Sequence, residues 1–412
     1  MNVSRITMSF AAMCALCVFV APASALFAQN PAAEAGKSTA VVNPNSEFAI
    51  DLYRALGKGG SGKNVFVSPF SISTALAMTY EGSRARTRSQ MAEVLRFTMP
   101  DVTQQQDFAA LLAQTQAAPD KHYKLEVANA LWGQKDYHFE PAFTGAVKDY
   151  YGGEFFTVDY VRDRDGSVHT INHWVEGKTA GKIVNLLHRD DVSQLTRLVL
   201  TNAIYFKGNW AAQFDIDATL QEPFHLTDGE RVQAPMMHQS GTYRYVKQNG
   251  MAAIELSYAD HELSMLAILP EGDIGQLDQS LTLNEIQRLR ARMVEQDVNV
   301  VLPRFKFGTR YLLKTVLSAM GMPNAFDEKL ADFSGMTGHP ELFIDQVIHQ
   351  ARIEVNEEGS EAAAATAVVM NLKAMREESK PVFRADRPFF FFIVHNATGS
   401  ILFMGRLSNP TV

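Results

Sequence analysis

Between Glu357 and Met370 the chain reads Glu-Glu-Gly-Ser-Glu-Ala-Ala-Ala-Ala-Thr-Ala-Val-Val-Met, a run that suits neither a settled helix nor an ordinary loop. Ala362, Ala363, Ala364 and Ala365 favour helix, whereas the β-branched Thr366, Val368 and Val369 that follow favour strand. At a period of two, Ser360, Ala362, Ala364, Thr366, Val368 and Met370 share one uncharged face that grows from small to large. Glu361 falls on the opposite face with Ala363 and Ala365. No proline interrupts the segment through Lys380, so every backbone donor is available to a ladder. Such a run suits a loop that can become a strand by sliding between two existing ones. On these residues alone, an Ala-rich helix or a linker stands equally open.

Other stretches decide between these readings. They are Asn64-Val65-Phe66-Val67-Ser68-Pro69-Phe70-Ser71-Ile72-Ser73 with Ala75-Leu76-Ala77-Met78, then Ile171-Asn172-His173-Trp174-Val175-Glu176 leading to Gly181-Lys182-Ile183. Further on come Leu200-Thr201-Asn202-Ala203-Ile204-Tyr205-Phe206-Lys207-Gly208-Asn209-Trp210, Leu302-Pro303-Arg304-Phe305-Lys306 and Arg387-Pro388-Phe389-Phe390-Phe391-Phe392-Ile393. In this order they resemble the inhibitory serpins over roughly residues 44 to 410, and collinear motifs are far more specific than any one pattern. The resemblance implies an α+β fold of three mostly antiparallel sheets, about nine helices and an exposed reactive-centre loop.

The bulk properties agree with a globular chain: 412 residues, 46% hydrophobic and 20% charged. No Pro/Ser/Gly-rich linker or internal repeat follows residue 45, so residues 46–412 are expected to form one domain, with hinge and reactive loop at 357–380. Residues 1–25 read as a signal peptide, with Arg5, an apolar run to Val20 and Ala23-Ser24-Ala25 as a cleavage site. Residues 26–45 read as a flexible lead-in. The expected localisation is therefore secreted, extracellular or periplasmic. Cys14 and Cys17 both lie inside that leader, which leaves the mature chain without a disulfide or thiol nucleophile. Its loss removes one positive charge and moves the net charge from −7 to −8, which argues against nucleic acid.

Hydrophobic spacing predicts helices around 48–56, 73–95 with a break at Glu81-Gly82-Ser83, 108–116, 168–187, 283–294 and 311–320. It predicts strands at 124–132, 198–206, 243–246, 253–256, 263–269, 298–301 and 389–394. Several enzyme-like patterns fail on inspection. Gly57-Lys58-Gly59-Gly60-Ser61-Gly62-Lys63 imitates a phosphate loop, but Asn64 replaces the magnesium-binding hydroxyl and the expected order is helix, loop, strand. No Gly-x-Ser-x-Gly elbow is present. The eleven histidines are read as offering no paired helical zinc site, and His261-Glu262-Leu263-Ser264-Met265 lacks its second His. The Asn396-Ala397-Thr398 acceptor reads as a turn, and Met236, Met237, Met251 and Met265 as core filling. The chain is accordingly not read as an enzyme, and no cofactor or metal is expected.

The resemblance assigns roles residue by residue. Glu357, Glu358, Gly359, Ser360, Glu361, Ala362, Ala363, Ala364, Ala365 and Thr366 form the hinge. Counting to the seventeenth residue from Glu357 puts the bait bond at Lys373-Ala374, with cleavage after Met375 or Arg376 as alternatives. A basic residue there would suit a trypsin-like protease. Ser68, Ser71, Asn202 and His349 match the polar cluster beneath the main sheet, and Trp210 the place where insertion begins. The implied activity is suicide inhibition of a serine endopeptidase by a monomer, through a covalent acyl complex and loop insertion. A non-inhibitory carrier, chaperone or storage role and inhibition of a cysteine protease are the alternatives. The short, basic-poor helix near Phe108 offers nothing to a heparin-like activator.

Overall fold

The computed structural model describes residues 39–57, 60, 62–115, 121–358 and 380–412. Hinge residues 359–366 and the bait positions 373–376 lie outside the described residues, as do residues 1–38. Helix α1 (Thr39–Gly57) leads through β1 (Val65–Val67) into α2 (Pro69–Gly82), which is buried along almost its whole length. Pro69 supplies the preset φ of a first turn, and the Ser68 hydroxyl caps the helix by accepting from the Ser71 amide at 3.2 Å. The hydroxyls of Thr74 and Thr79 donate back to carbonyls of their own helix at 2.8 Å, so burial orphans neither.

Next come α3 (Ala85–Leu95), α4 (Asp101–Thr115), β2 (Tyr123–Gln134), α5 (Pro141–Tyr151), β3 (Glu154–Val158), α6 (Arg164–Lys178) and β4 (Leu198–Gly208). The middle of the chain forms β5 (Leu220–His225), β6 (Arg231–Gln248), β7 (Met251–Ser257), β8 (Leu263–Pro270), α7 (Ile274–Ser280) and α8 (Leu283–Arg292). It closes with β9 (Val294–Pro303), β10 (Phe305–Leu312), α9 (Lys314–Met320), α10 (Ser334–Thr337), β11 (Gln346–Val355), β12 (Val382–Arg384), β13 (Phe389–His395) and β14 (Ile401–Leu407).

Among the described residues the strands make an α+β fold of two hydrogen-bonded sheets. One runs β10-β11-β4-β2-β3. The other runs β1-β14-β13-β8-β7-β6-β9-β12, with β5 on β6. The resemblance implies three sheets, and strand β6 accounts for the difference: its first part pairs with β5, its last part with β7, and β9 spans the region between. Two sheet regions are thereby joined along one long strand.

Several boundaries differ from the spacing-based expectation. The helix expected over 168–187 stops at Lys178, because Ala180 (φ 47°) and Gly181 (φ 70°) turn left-handed and the Thr179 hydroxyl accepts from the Ile183 amide. Val294 begins β9 instead of ending α8, and Tyr311 and Leu312 belong to β10. Apolar spacing alone does not separate a helix end from the strand that follows it.

Candidate functional site

The five-stranded sheet has a seam. Strands β4 and β11 are neighbours and run parallel, with Gln346 opposite Val199 and Ile353 opposite Phe206, although β10 on one side and β2 on the other are antiparallel to them. Because the pair is parallel, both strands leave the sheet at the same end. The chain that leaves β11 is the one that carries Glu357 and Glu358.

That exit is held across the end of β4. The Trp210 indole donates to the Asn356 carbonyl at 2.9 Å, the Phe214 amide donates to the Glu357 carbonyl at 2.9 Å, and the Trp210 amide reaches the Glu358 carbonyl at 3.4 Å. Trp210 itself is buried and lies flat on Tyr258, with ring centroids 4.6 Å apart. Gly208 permits this stack, since a Cβ there would stand 2.7 Å from the Tyr258 ring. The Glu357 side chain is buried, accepts from the Thr219 hydroxyl at 2.7 Å and faces Arg304 at 3.4 Å. A half-exposed arginine and a half-buried hydroxyl thus hold the Glu357 carboxylate, while Glu358 is exposed.

Beneath the seam lies a row of polar groups. Register places Asn129 of β2 opposite Asn202 of β4, and Asn202 opposite His349 of β11. All three are buried together with Ser68 and Ser71 at the start of α2. The Ser68 amide donates to His349 Nε2 at 3.2 Å, which leaves the ring proton on Nδ1, where it is donated to Asn202 Oδ1. Asn202 Nδ2 donates to the Ser71 oxygen at 2.6 Å and to Asn129 Oδ1; Ser71 donates to Asn129 Oδ1 at 3.2 Å, and Ser68 to the Leu402 carbonyl at 2.8 Å. Burial pushes His349 down to about 3, only partly offset by the hydrogen bond to Asn202, so the imidazole is neutral. Within this row, the Asn202–His349 bond is the link that crosses between β4 and β11.

Of the residues singled out from sequence, Ser68, Ser71, Asn202 and His349 meet in this row, and Trp210 stands at the seam's end beside Glu357 and Glu358. Asn129 was missed. Its signal is a single polar residue in the apolar stretch Val127-Ala128-Asn129-Ala130, inside a strand that was expected. On the far face, Ile171 and Val175 of α6 share a buried cluster with Ala130, Val199, Ala203 and Ile348, and the helix lies nearest β2.

The imitation phosphate loop has a structural task. Asn64 donates to the Asn409 carbonyl at 2.7 Å and accepts from the Ser408 and Asn409 amides, which ties β1 to the C-terminal end. Among the described residues no group of three or more His, Cys, Asp or Glu side chains is placed to hold a metal. The reading of the histidines needs a correction, since His169 and His173 stand four residues apart on α6 and do form a helical pair.

Comparison with known proteins places these features in a lineage. The family model described as Serpin (serine protease inhibitor) matches residues 43–410. An uncharacterized serpin-like protein of Thermococcus kodakarensis is 42% identical over 91% of this chain and 87% of its own length. Human leukocyte elastase inhibitor is 39% identical over 89% of this chain and 98% of its own. Among solved structures, human thyroxine-binding globulin complexed with thyroxine covers 91% of this chain and is itself covered fully, at a TM-score of 0.82 and 31% identity. Uncleaved ovalbumin gives 0.79 and 31%, over 90% of this chain and all of its own. The secreted localisation expected from residues 1–25 is corrected by these relatives: the leukocyte elastase inhibitors and serpin B6 are intracellular proteins without signal peptides.

Proposed function

Because the chain belongs to the serpin family, we propose that it is a suicide inhibitor of a serine endopeptidase with trypsin-like specificity, cleaved after Lys373. A serpin acts on proteases as an inhibitor and not as a catalyst. The target attacks the Lys373-Ala374 bond and forms its acyl-enzyme, and the freed hinge from Glu357 to Thr366 then enters the sheet with the protease attached. Met375 and Arg376 are the alternative bait positions, and Arg376 keeps the basic preference. Serpin loop insertion is a general example of strand addition and of strain released by proteolysis, not a mechanism inferred first for this chain.

The observation that carries this reading is the parallel β4·β11 pair. A segment turning back from the end of β11 runs antiparallel to both strands, so its entry replaces one parallel ladder with two antiparallel ones, the slightly more stable kind per residue. Each added backbone hydrogen bond contributes about 0.5–1.5 kcal/mol net, and the apolar face of the hinge is buried as well. The uncut loop is anchored at its far end on the other sheet. There β12 pairs with β9, and the Asn299 amide donates to the Pro381 carbonyl at 2.9 Å. Cleavage removes that restraint, so the native fold is a kinetic trap.

Incubation with trypsin is expected to give an SDS-resistant adduct and to release a fragment beginning at Ala374, identified by mass spectrometry. Clean cleavage without adduct would reject inhibition. Ala364→Pro removes a ladder donor from the inserting strand and is expected to leave folding intact while turning the inhibitor into a substrate. A carrier role is the second reading, favoured by the likeness to thyroxine-binding globulin, and it predicts cleavage without adduct.

A further inference from the structure

Helix α6 presents two ligand-type side chains that the seam does not use. His169 and His173 are both exposed, and their rings lie nearly parallel, 9° apart in plane with centroids separated by 6.2 Å. Side chains four residues apart on a helix are neighbours on one face, with Cβ atoms about 5–6 Å apart. The scaffold beneath them is fixed from the inner side, where Ile171 and Val175 are buried against the five-stranded sheet. One turn beyond His173, exposed Glu176 adds a negative charge to the same flank.

We propose that His169 and His173 form a surface chelate for a divalent transition-metal ion of borderline softness, Zn²⁺, Ni²⁺ or Cu²⁺, with water in the remaining positions. Imidazole nitrogen is the donor these ions prefer, whereas Mg²⁺ and Ca²⁺ require oxygen ligands in number. Metal–nitrogen bonds of about 2.0–2.1 Å at a tetrahedral angle bring two ring centroids to roughly 5 Å. The free pair is therefore about an ångström too wide, a gap that rotamer adjustment of two exposed side chains closes. Other histidines are less suited: His122 and His238 sit against Asp260 and Glu222, and His349 and His395 are buried. Because the two ligands are spaced by a formed helix, the ion binds native protein in preference to unfolded chain and raises its stability by mass action.

The test is a calorimetric titration of the full chain with CuCl₂, NiCl₂ and ZnCl₂ at neutral pH, beside His169→Gln and His173→Gln. Wild type is expected to bind one equivalent, Cu²⁺ most tightly, with MgCl₂ inert and with a melting temperature that rises with metal concentration. Each variant is expected to fold as wild type and to weaken binding tenfold or more. Copper electron paramagnetic resonance should report two nitrogen ligands in wild type and one in either variant. Unchanged stoichiometry and affinity in both variants, or a single-nitrogen spectrum in wild type, would overturn the assignment.

Discussion

Two strand pairs in this molecule are held together in different ways. In β13·β14 the ladder is antiparallel and every residue of both strands is buried. Phe391 and Phe403 pack on Phe66 with centroids 5.8 and 5.2 Å away, and Gly405 lies so close that a Cβ would stand 2.3 Å from the Phe391 ring. In β4·β11 the ladder is parallel and crossed by the amide–imidazole link of Asn202 and His349. An interlocked aromatic interior loses its contacts as soon as strands separate, whereas amides, hydroxyls and a neutral imidazole can exchange one hydrogen-bond partner for another. Burial separates the two pairs only in part, since β4 is buried almost throughout while β11 alternates; ladder direction and side-chain chemistry separate them fully.

The contrast can be broken by mutation, and the largest effect belongs to the aromatic pair. Phe391→Ala should cost about 3–5 kcal/mol, read as a lower urea midpoint at unchanged slope. A loss under 1 kcal/mol would mean that this interior is no more rigid than the seam. Asn202→Ala removes the acceptor of His349 and a donor to Ser71 and Asn129, and should cost about 1–3 kcal/mol. It should also speed hydrogen exchange in β4 and β11 before β13; uniform exchange would argue against a separable seam.

A pH series sharpens the comparison further. His349 is held down to about 3 in the fold against about 6.5 in the unfolded chain, so acid favours the unfolded state, which takes up the proton. The contribution is fully present above pH 6.5 and declines as pH falls toward 3. Between pH 7 and 5 it should remove about 2 kcal/mol of stability, a slope that His349→Gln abolishes. Identical slopes in the two proteins would place the titrating group elsewhere. The smallest effect is at the exit of β11. Arg304→Gln breaks a 3.4 Å contact of a 44% exposed side chain with Glu357, so screening by water limits the loss to below about 1 kcal/mol. A larger change in melting would make Arg304, rather than the Trp210 bonds, the principal hold on the chain leaving β11.

Much of this molecule was legible in its residues. The apolar runs 198–206, 263–269 and 389–394 announced β4, β8 and β13, because strands buried on both faces need no polar alternation. The ordered motifs carried the family and pointed to Ser68, Ser71, Asn202, Trp210 and His349. Strand β11 was not foreseen, since Gln346, His349, Gln350, Arg352 and Glu354 dilute its apolar pattern. Asn129 escaped for a related reason: a lone amide in a strand carries no sign of the partner that will satisfy it.

By itself the sequence settled local matters, namely the proline-free run to Lys380, the Ser68-Pro69 helix start and the membership written in ordered motifs. That β4 and β11 lie side by side and parallel, with Asn202 facing His349, was decided only when the chain closed on itself. Pairing between segments about 150 residues apart leaves no periodicity in either one, because its energy resides in ladder bonds and a shared polar row that exist only once the two strands have met.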